Sequence, residues 1–130
     1  MKILVAVALI VAGLVTMAQD TATVIVYRTH NKFFGSLARI PVYCDSSHEM
    51  VGRAYNGKYL QLTMPTGDHS LEVRESGGGG RAGLDLHLTA GATYYVKVDQ
   101  GVTVTMFKVS KSEADEAMSK LKLGDEGSCQ

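Results

Sequence analysis

From Thr21 onward, apolar side chains recur at every second position, with turn residues at short intervals. This period of two predicts a succession of short β-strands. Residues 21–29 (TATVIVYRT) are rich in β-branched side chains and apolar on both faces, the pattern of a central strand. Across 38–44, Ala38, Ile40, Val42 and Cys44 alternate with Arg39, Pro41 and Tyr43. Pro41 has no amide proton to give a ladder, which predicts an edge strand or a bulge there.

Residues 50–55 and 58–64 flank Asn56-Gly57, a pair that accepts the positive φ angles of a two-residue type I′ turn, so the two segments are expected to form a hairpin. Leu60, Leu62 and Met64 share one face of the second arm, opposite Tyr59, Gln61 and Thr63. Pro65-Thr66-Gly67-Asp68 reads as a turn. Residues 69–75 then place Leu71 and Val73 inward. A tetraglycine at 77–80 precedes a strand marked by Leu84, Leu86 and Leu88. Ala90-Gly91 leads into TYYVKV at 93–98, and Gly101 into residues 102–109.

The period changes at the end. Ser110 and Glu113 have capping-box spacing, with Ser112 a competing cap. Ala114, Ala117, Met118 and Leu121 form the apolar stripe of an amphipathic helix over 111–123 that must dock on the sheet, and Gly124 is placed to stop it. Residues 124–130 read as a polar tail. The expected fold is therefore mainly β: an antiparallel β-sandwich of seven or eight short strands with one C-terminal helix, a single domain over 19–123.

Residues 1–18 stand apart from this pattern. Lys2 precedes an apolar run over 3–15, and Thr16-Met17-Ala18 fits a signal-peptidase site, so the segment is expected to be a cleaved secretory signal that leaves no stable membrane anchor. Beyond it the chain keeps 12 basic and 13 acidic side chains, a balance that argues against a nucleic-acid partner. Export permits a disulfide, for which Cys44 and Cys129 are the candidates. The alternative is a buried Cys44 and a free Cys129 in a frayed terminus.

The stretches ATVIVYR, IPVYCD, NGKYLQLTMPTGDHSLEV and LTAGATYYVKV resemble an uncharacterised family of bacterial envelope β domains, many of them carried on lipoproteins. The run Pro65-x-Gly67-x-His69-x-Leu71-x-Val73 is similar to PEGA-type surface modules. The resemblance covers most of 22–109 and implies a compact β-sandwich in the periplasm or at the cell surface, with no assigned enzyme activity and no site residues to carry over. The chain departs from the lipoprotein members in having no Cys at the cleavage site.

Chemistry is sparse. His48, Glu49, Asp68 and His69 are the metal-compatible donors, but they lack a recognised ligand spacing, and ordinary loop chemistry is the expected reading. The tetraglycine lacks the Lys-Ser/Thr and the helix of a P-loop, and no Gly-x-Ser-x-Gly occurs. No catalytic residue and no cofactor are expected. The aromatic residues Phe33, Phe34, Tyr43, Tyr55, Tyr59 and Tyr95 form a candidate binding surface, unless the tyrosines lie beneath the C-terminal helix. The expected function is a non-enzymatic envelope module that binds another envelope protein or the cell surface, or gives structural support. The alternatives are a carrier of a small apolar ligand between the sheets and a metal-dependent hydrolase.

Overall fold

The computed structural model of the chain describes residues 20–30, 39–75, 80–101 and 103–129. The leader segment, Phe33, Phe34 and most of the tetraglycine lie outside them. Nine strands follow in order: β1 (Thr21–Tyr27), β2 (Arg39–Cys44), β3 (Met50–Tyr55), β4 (Lys58–Pro65), β5 (Gly67–Arg74), β6 (Arg81–Leu88), β7 (Thr93–Gln100), β8 (Val104–Val109) and, after the helix α1 (Lys111–Met118), β9 (Lys122–Ser128). They form a five-stranded sheet, β8-β7-β1-β4-β9, facing a four-stranded sheet, β3-β2-β5-β6.

Alternation produces the core. Ala22, Val24 and Val26 of β1, Leu60, Leu62 and Met64 of β4, and Val96 and Val98 of β7 meet Ile40, Val42, Leu71, Val73, Leu86 and Leu88 from the opposite sheet. All are buried, each apolar side chain being worth about 1.5–3 kcal/mol when removed from water. Strand β1 is central, as its two-sided apolar pattern requires: Ile25 and Tyr27, on the face away from this core, are buried as well.

The sandwich is not wholly antiparallel. Strand β1 runs parallel to β7, and β4 parallel to β9. The expected Asn56-Gly57 hairpin is also absent. Strand β3 belongs to the four-stranded sheet and β4 to the five-stranded one, so the turn carries the chain between layers. Of its two residues only Gly57 has positive φ (+70°), whereas a type I′ turn needs both. That geometry falls instead on Asp45-Ser46, with φ of 52° and 59° and Ser47 N–H donating to the Cys44 carbonyl at 2.9 Å, between the paired strands β2 and β3. Pro41 is accommodated because β5 pairs with β2 only from Val42 to Cys44, beside a register shift at Val42/Tyr43.

The C-terminus differs most from expectation. Ser110 caps α1, accepting from Glu113 N–H at 3.3 Å. The helix closes at Met118, where the Lys120 and Leu121 amides bond the carbonyls of Ala117 and Met118 three residues back. The segment expected as helix end and polar tail becomes β9. Gly124, expected to stop the helix, sits in β9 against Lys58 and Tyr55. An unpaired β4 edge offers a full ladder of donors and acceptors, and that pairing outweighs the polar composition of KLGDEGS. Gly127 is required here, since a Cβ would fall on the Val51 carbonyl oxygen of β3. Asp125 Oδ2 accepts from Arg53 N–H at 3.0 Å, joining β9 to β3 across the edges of the two sheets.

Cys44 at the end of β2 and Cys129 just after β9 are joined by a disulfide, with α-carbons 6.1 Å apart. Among the described residues, no helix is long and apolar enough to cross a membrane.

Candidate functional site

Helix α1 lies against β7 on the outer face of the five-stranded sheet. Its stripe docks as its spacing requires: Ala114 is buried, and Ala117, Met118 and Leu121 are half-buried. Below the helix, β1 delivers Tyr27 to the same face, 1% exposed. A cleft of about 610 Å³ opens between α1, the end of β1, the β3–β4 turn and β7. Its walls carry Tyr27, His30, Lys97, Glu113, Glu116 and Lys120, with Ala117 and Leu121 as the apolar part.

The Tyr27 hydroxyl is buried and, among the described residues, has no hydrogen-bond partner. Leaving such a group unpaired costs about 1–3 kcal/mol. Burial, then the charges of Glu113 and Asp99, push its pKa up, so the phenol stays protonated. On the rim, Asn56 Nδ2 lies 3.4 Å from His30 Nδ1, and the Lys97 ammonium is 3.8 Å from Asp99 Oδ1 and 5.9 Å from the Phe107 ring.

The candidate aromatic surface is divided. Tyr43, on the outer face of the four-stranded sheet, stacks under the Arg74 guanidinium at 3.9 Å. Tyr55 stands at the β3–β9 edge beside Gly124 and near the Lys58 ammonium. Tyr59 pairs across from Tyr27, and Tyr95 sits beside Ile25 on the helix-bearing face. All four are half-buried, and they do not form one patch. Tyr27, outside that candidate set, also lies on the helix-bearing face. Sequence reasoning counted it as an ordinary strand residue, and the available signal was its position on the second apolar face of β1.

The candidate metal donors are separated. Asp68 engages His87 at 2.6 Å across the β5–β6 ladder, His69 engages Asp45 at 2.7 Å, and His48 and Glu49 are exposed. Among the described residues, no group of three or more His, Cys, Asp or Glu is arranged to hold a metal ion.

The His69–Asp45 contact instead clips the β2–β3 turn to β5. His69 Nδ1 donates to Asp45 Oδ2, its Nε2 faces the Thr66 carbonyl at 3.3 Å, and Ser70 N–H donates to Asp45 Oδ1 at 2.9 Å. Because both ring nitrogens meet acceptors, the imidazolium is favoured; the Asp45 hydrogen bond, opposed by partial burial, raises the His69 pKa. Partial burial raises the Asp45 carboxyl, but the Ser70 amide and His69 outweigh it and hold it below the usual range.

The stabilisation from His69 is complete below the unfolded pKa of about 6.5 and fades as pH rises through the higher folded value. That from Asp45 is complete above about 3.9 and fades as pH falls through its lowered folded value. Asp45 is 40% exposed, so the clip is screened and worth only about 0.5–1 kcal/mol. We expect chemical denaturation of the wild type to show a shallow stability loss above neutrality that His69→Gln lacks. Identical pH profiles for the two proteins would refute the assignment.

A family model described as a protein of unknown function, DUF2846, matches residues 18–110. The chain belongs to the DUF2846 family. No curated protein matches it. The matched segment carries β1–β8, whereas α1, β9 and Cys129 follow it. The cleft is thus built between the DUF2846 domain, which supplies Tyr27, His30 and Lys97, and the segment beyond the match, where the helix supplies Glu113 and Glu116 and the turn after it Lys120.

Proposed function

We propose that this DUF2846 protein is an exported, non-enzymatic module of the bacterial cell envelope that acts by binding, with the cleft over Tyr27 as its binding site. The leader pattern of residues 1–18 supports export, as does the Cys44–Cys129 disulfide, a bond that persists in oxidising compartments. The resemblance to lipoprotein-borne envelope domains and to the PEGA-type run from Pro65 to Val73 supports the envelope assignment.

The observation that carries the binding reading is the cleft of about 610 Å³ between α1, the end of β1 and β7, large enough for a small molecule. The Tyr27 hydroxyl near this cleft is buried without a partner among the described residues, which lowers the stability of the protein. The same cleft supports a carrier role, but on the outer face of the sheet. The space between the sheets is occupied by core side chains such as Val24, Leu62, Val73 and Val96.

Tyr27→Phe keeps the ring and removes the orphan oxygen, so the free protein is expected to gain about 1 kcal/mol and melt a few degrees higher. Native mass spectrometry of wild type purified from cell envelopes should show an added small-molecule mass. A wild type that carries no added mass would overturn the reading.

A further inference from the structure

We propose that the outer face of the four-stranded sheet pairs with the same face of a second copy of this chain. The two copies are related by a two-fold axis that runs across the strands, through the row Tyr43, Glu72 and Gly83. Helix α1 lies against β7 of the other sheet and does not cover this face.

Val42, Ala54, Leu71, Val73 and Leu86 point into the core, so their neighbours in sequence point out. The outward side chains are polarised along the strands. At one end Arg53 pairs with Pro41 and Arg74 with Arg81, and the β2–β5 register sets the two pairs side by side, with Arg39 exposed beyond them. At the other end Asp45, Asp68 and Asp85 line one depression, and Glu49 is exposed on the adjoining turn. Segments 45–50, 67–70 and 85–88, which build that end, contain no Lys or Arg. Four residues, about 13 Å of extended chain, separate Arg81 from Asp85 on β6. Among the described residues Arg53 and Asp85 enter no ion pair, and the Arg81 side chain is 73% exposed.

This polarity selects both the partner and the axis. A uniformly anionic partner would be repelled by the aspartate end, whereas a reversed copy complements both ends at once. Turned about an axis along the strands, a second copy would set arginine on arginine. Turned about an axis across them, it sets Arg81 over its own Asp85, and Arg53 over its Asp45–Glu49 turn. The row on the axis suits close approach. Glu72 is already neutralised between Arg74 at 2.8 Å and Arg81 at 3.7 Å, and the Tyr43 ring lies flat under Arg74. Gly83 is exposed and not left-handed, and a Cβ there would meet only the Leu71 carbonyl at an ordinary 3.7 Å. Nothing inside the fold requires a glycine at that point, and its lack of a side chain leaves the centre flat.

Strands of six to eight residues and four strand spacings give roughly 450 Å² of sheet per copy. That is below the roughly 800 Å² per partner of a standard interface, so the dimer is weak, reversible and sensitive to salt.

Sedimentation equilibrium tests the pairing. The protein is expected to approach twice the monomer mass as its concentration rises toward about 1 mM in low salt, and to return to monomer in about 0.5 M NaCl. Arg81→Glu and Asp85→Arg, both at exposed positions, should each weaken association about tenfold or more. An equimolar mixture of the two variants should dimerise again, because each supplies the charge that the other lacks. A wild type that stays monomeric, or a mixture no better than its components, would overturn the proposal. So would a monomeric protein whose arginine end alone captures vesicles of anionic lipid, with Arg81→Glu abolishing capture and Asp85→Arg improving it.

Discussion

Replacing Cys44 and Cys129 together by alanine is expected to lower the unfolding free energy by about 4 kcal/mol. The bridge spans 85 residues, and in the chain-entropy account a loop of that length removes more freedom from the unfolded chain than a short one. It also joins the two layers, since Cys44 ends a strand of the four-stranded sheet and Cys129 follows an edge strand of the other. Cys129 N–H donates to the Thr63 carbonyl at 2.9 Å, which extends the β9 ladder to the bridge itself.

Urea denaturation with and without a reductant measures the effect. Reductant should bring the wild type down to the level of the double variant and leave the variant unmoved. Wild-type stability indifferent to reductant would show that the bridge does not hold the protein together. Hydrogen exchange adds a local readout. The β9 amides should lose protection first on reduction, because β9 is otherwise held by β4 on one side and the Arg53–Asp125 contact on the other.

Arg28→Ala is expected to cost about 2–4 kcal/mol. Arg28 follows β1 on the same alternation as Val24 and Val26, so its side chain enters the end of the sandwich, where it is 1% exposed. Its backbone N–H donates to the Lys58 carbonyl at 3.1 Å, and Nη1 donates to the Ala54 carbonyl at 3.0 Å. One residue thus joins β1 and β4 of one sheet to β3 of the other, close to the crossover at Asn56-Gly57. Burial lowers its pKa, but an arginine remains charged at neutral pH.

Truncation removes the packed stem and leaves the Ala54 carbonyl without this donor. Arg28→Met keeps most of the stem volume and is expected to recover part of the loss, and the gap between the two variants measures packing apart from hydrogen bonding. A loss below about 1 kcal/mol for Arg28→Ala, in a range usual for exposed positions, would show that Arg28 does not secure this end.

Much of the fold was legible because period-two patterning is local. Leu60, Leu62 and Met64 point inward on β4, and Leu71 and Val73 on β5, as their spacing requires. The helix stripe was legible for the same reason. Arg28 was not: within TATVIVYRT it reads only as part of a central strand, and the neighbouring carbonyl of another strand makes its burial tolerable. The Tyr27 site was hidden likewise, since the ring belongs to a strand whose outer face is covered by a helix more than 80 residues later. The paired histidines were visible as residue types, but their partners Asp45 and Asp68 depend on which strands adjoin.

Alternation of apolar and polar side chains, read along the chain, determined that this protein is built of short strands around an apolar interior, with one helix after residue 110. Which strands pair, and in which direction, was decided only in three dimensions. Backbone ladders carry no residue code: any extended segment beside an open edge can complete one, and β9 did so with a sequence that has almost no strand character. The same long-range closure seats α1 over Tyr27 and brings Cys129 to Cys44, so both the cleft and its disulfide-held edge are products of tertiary structure.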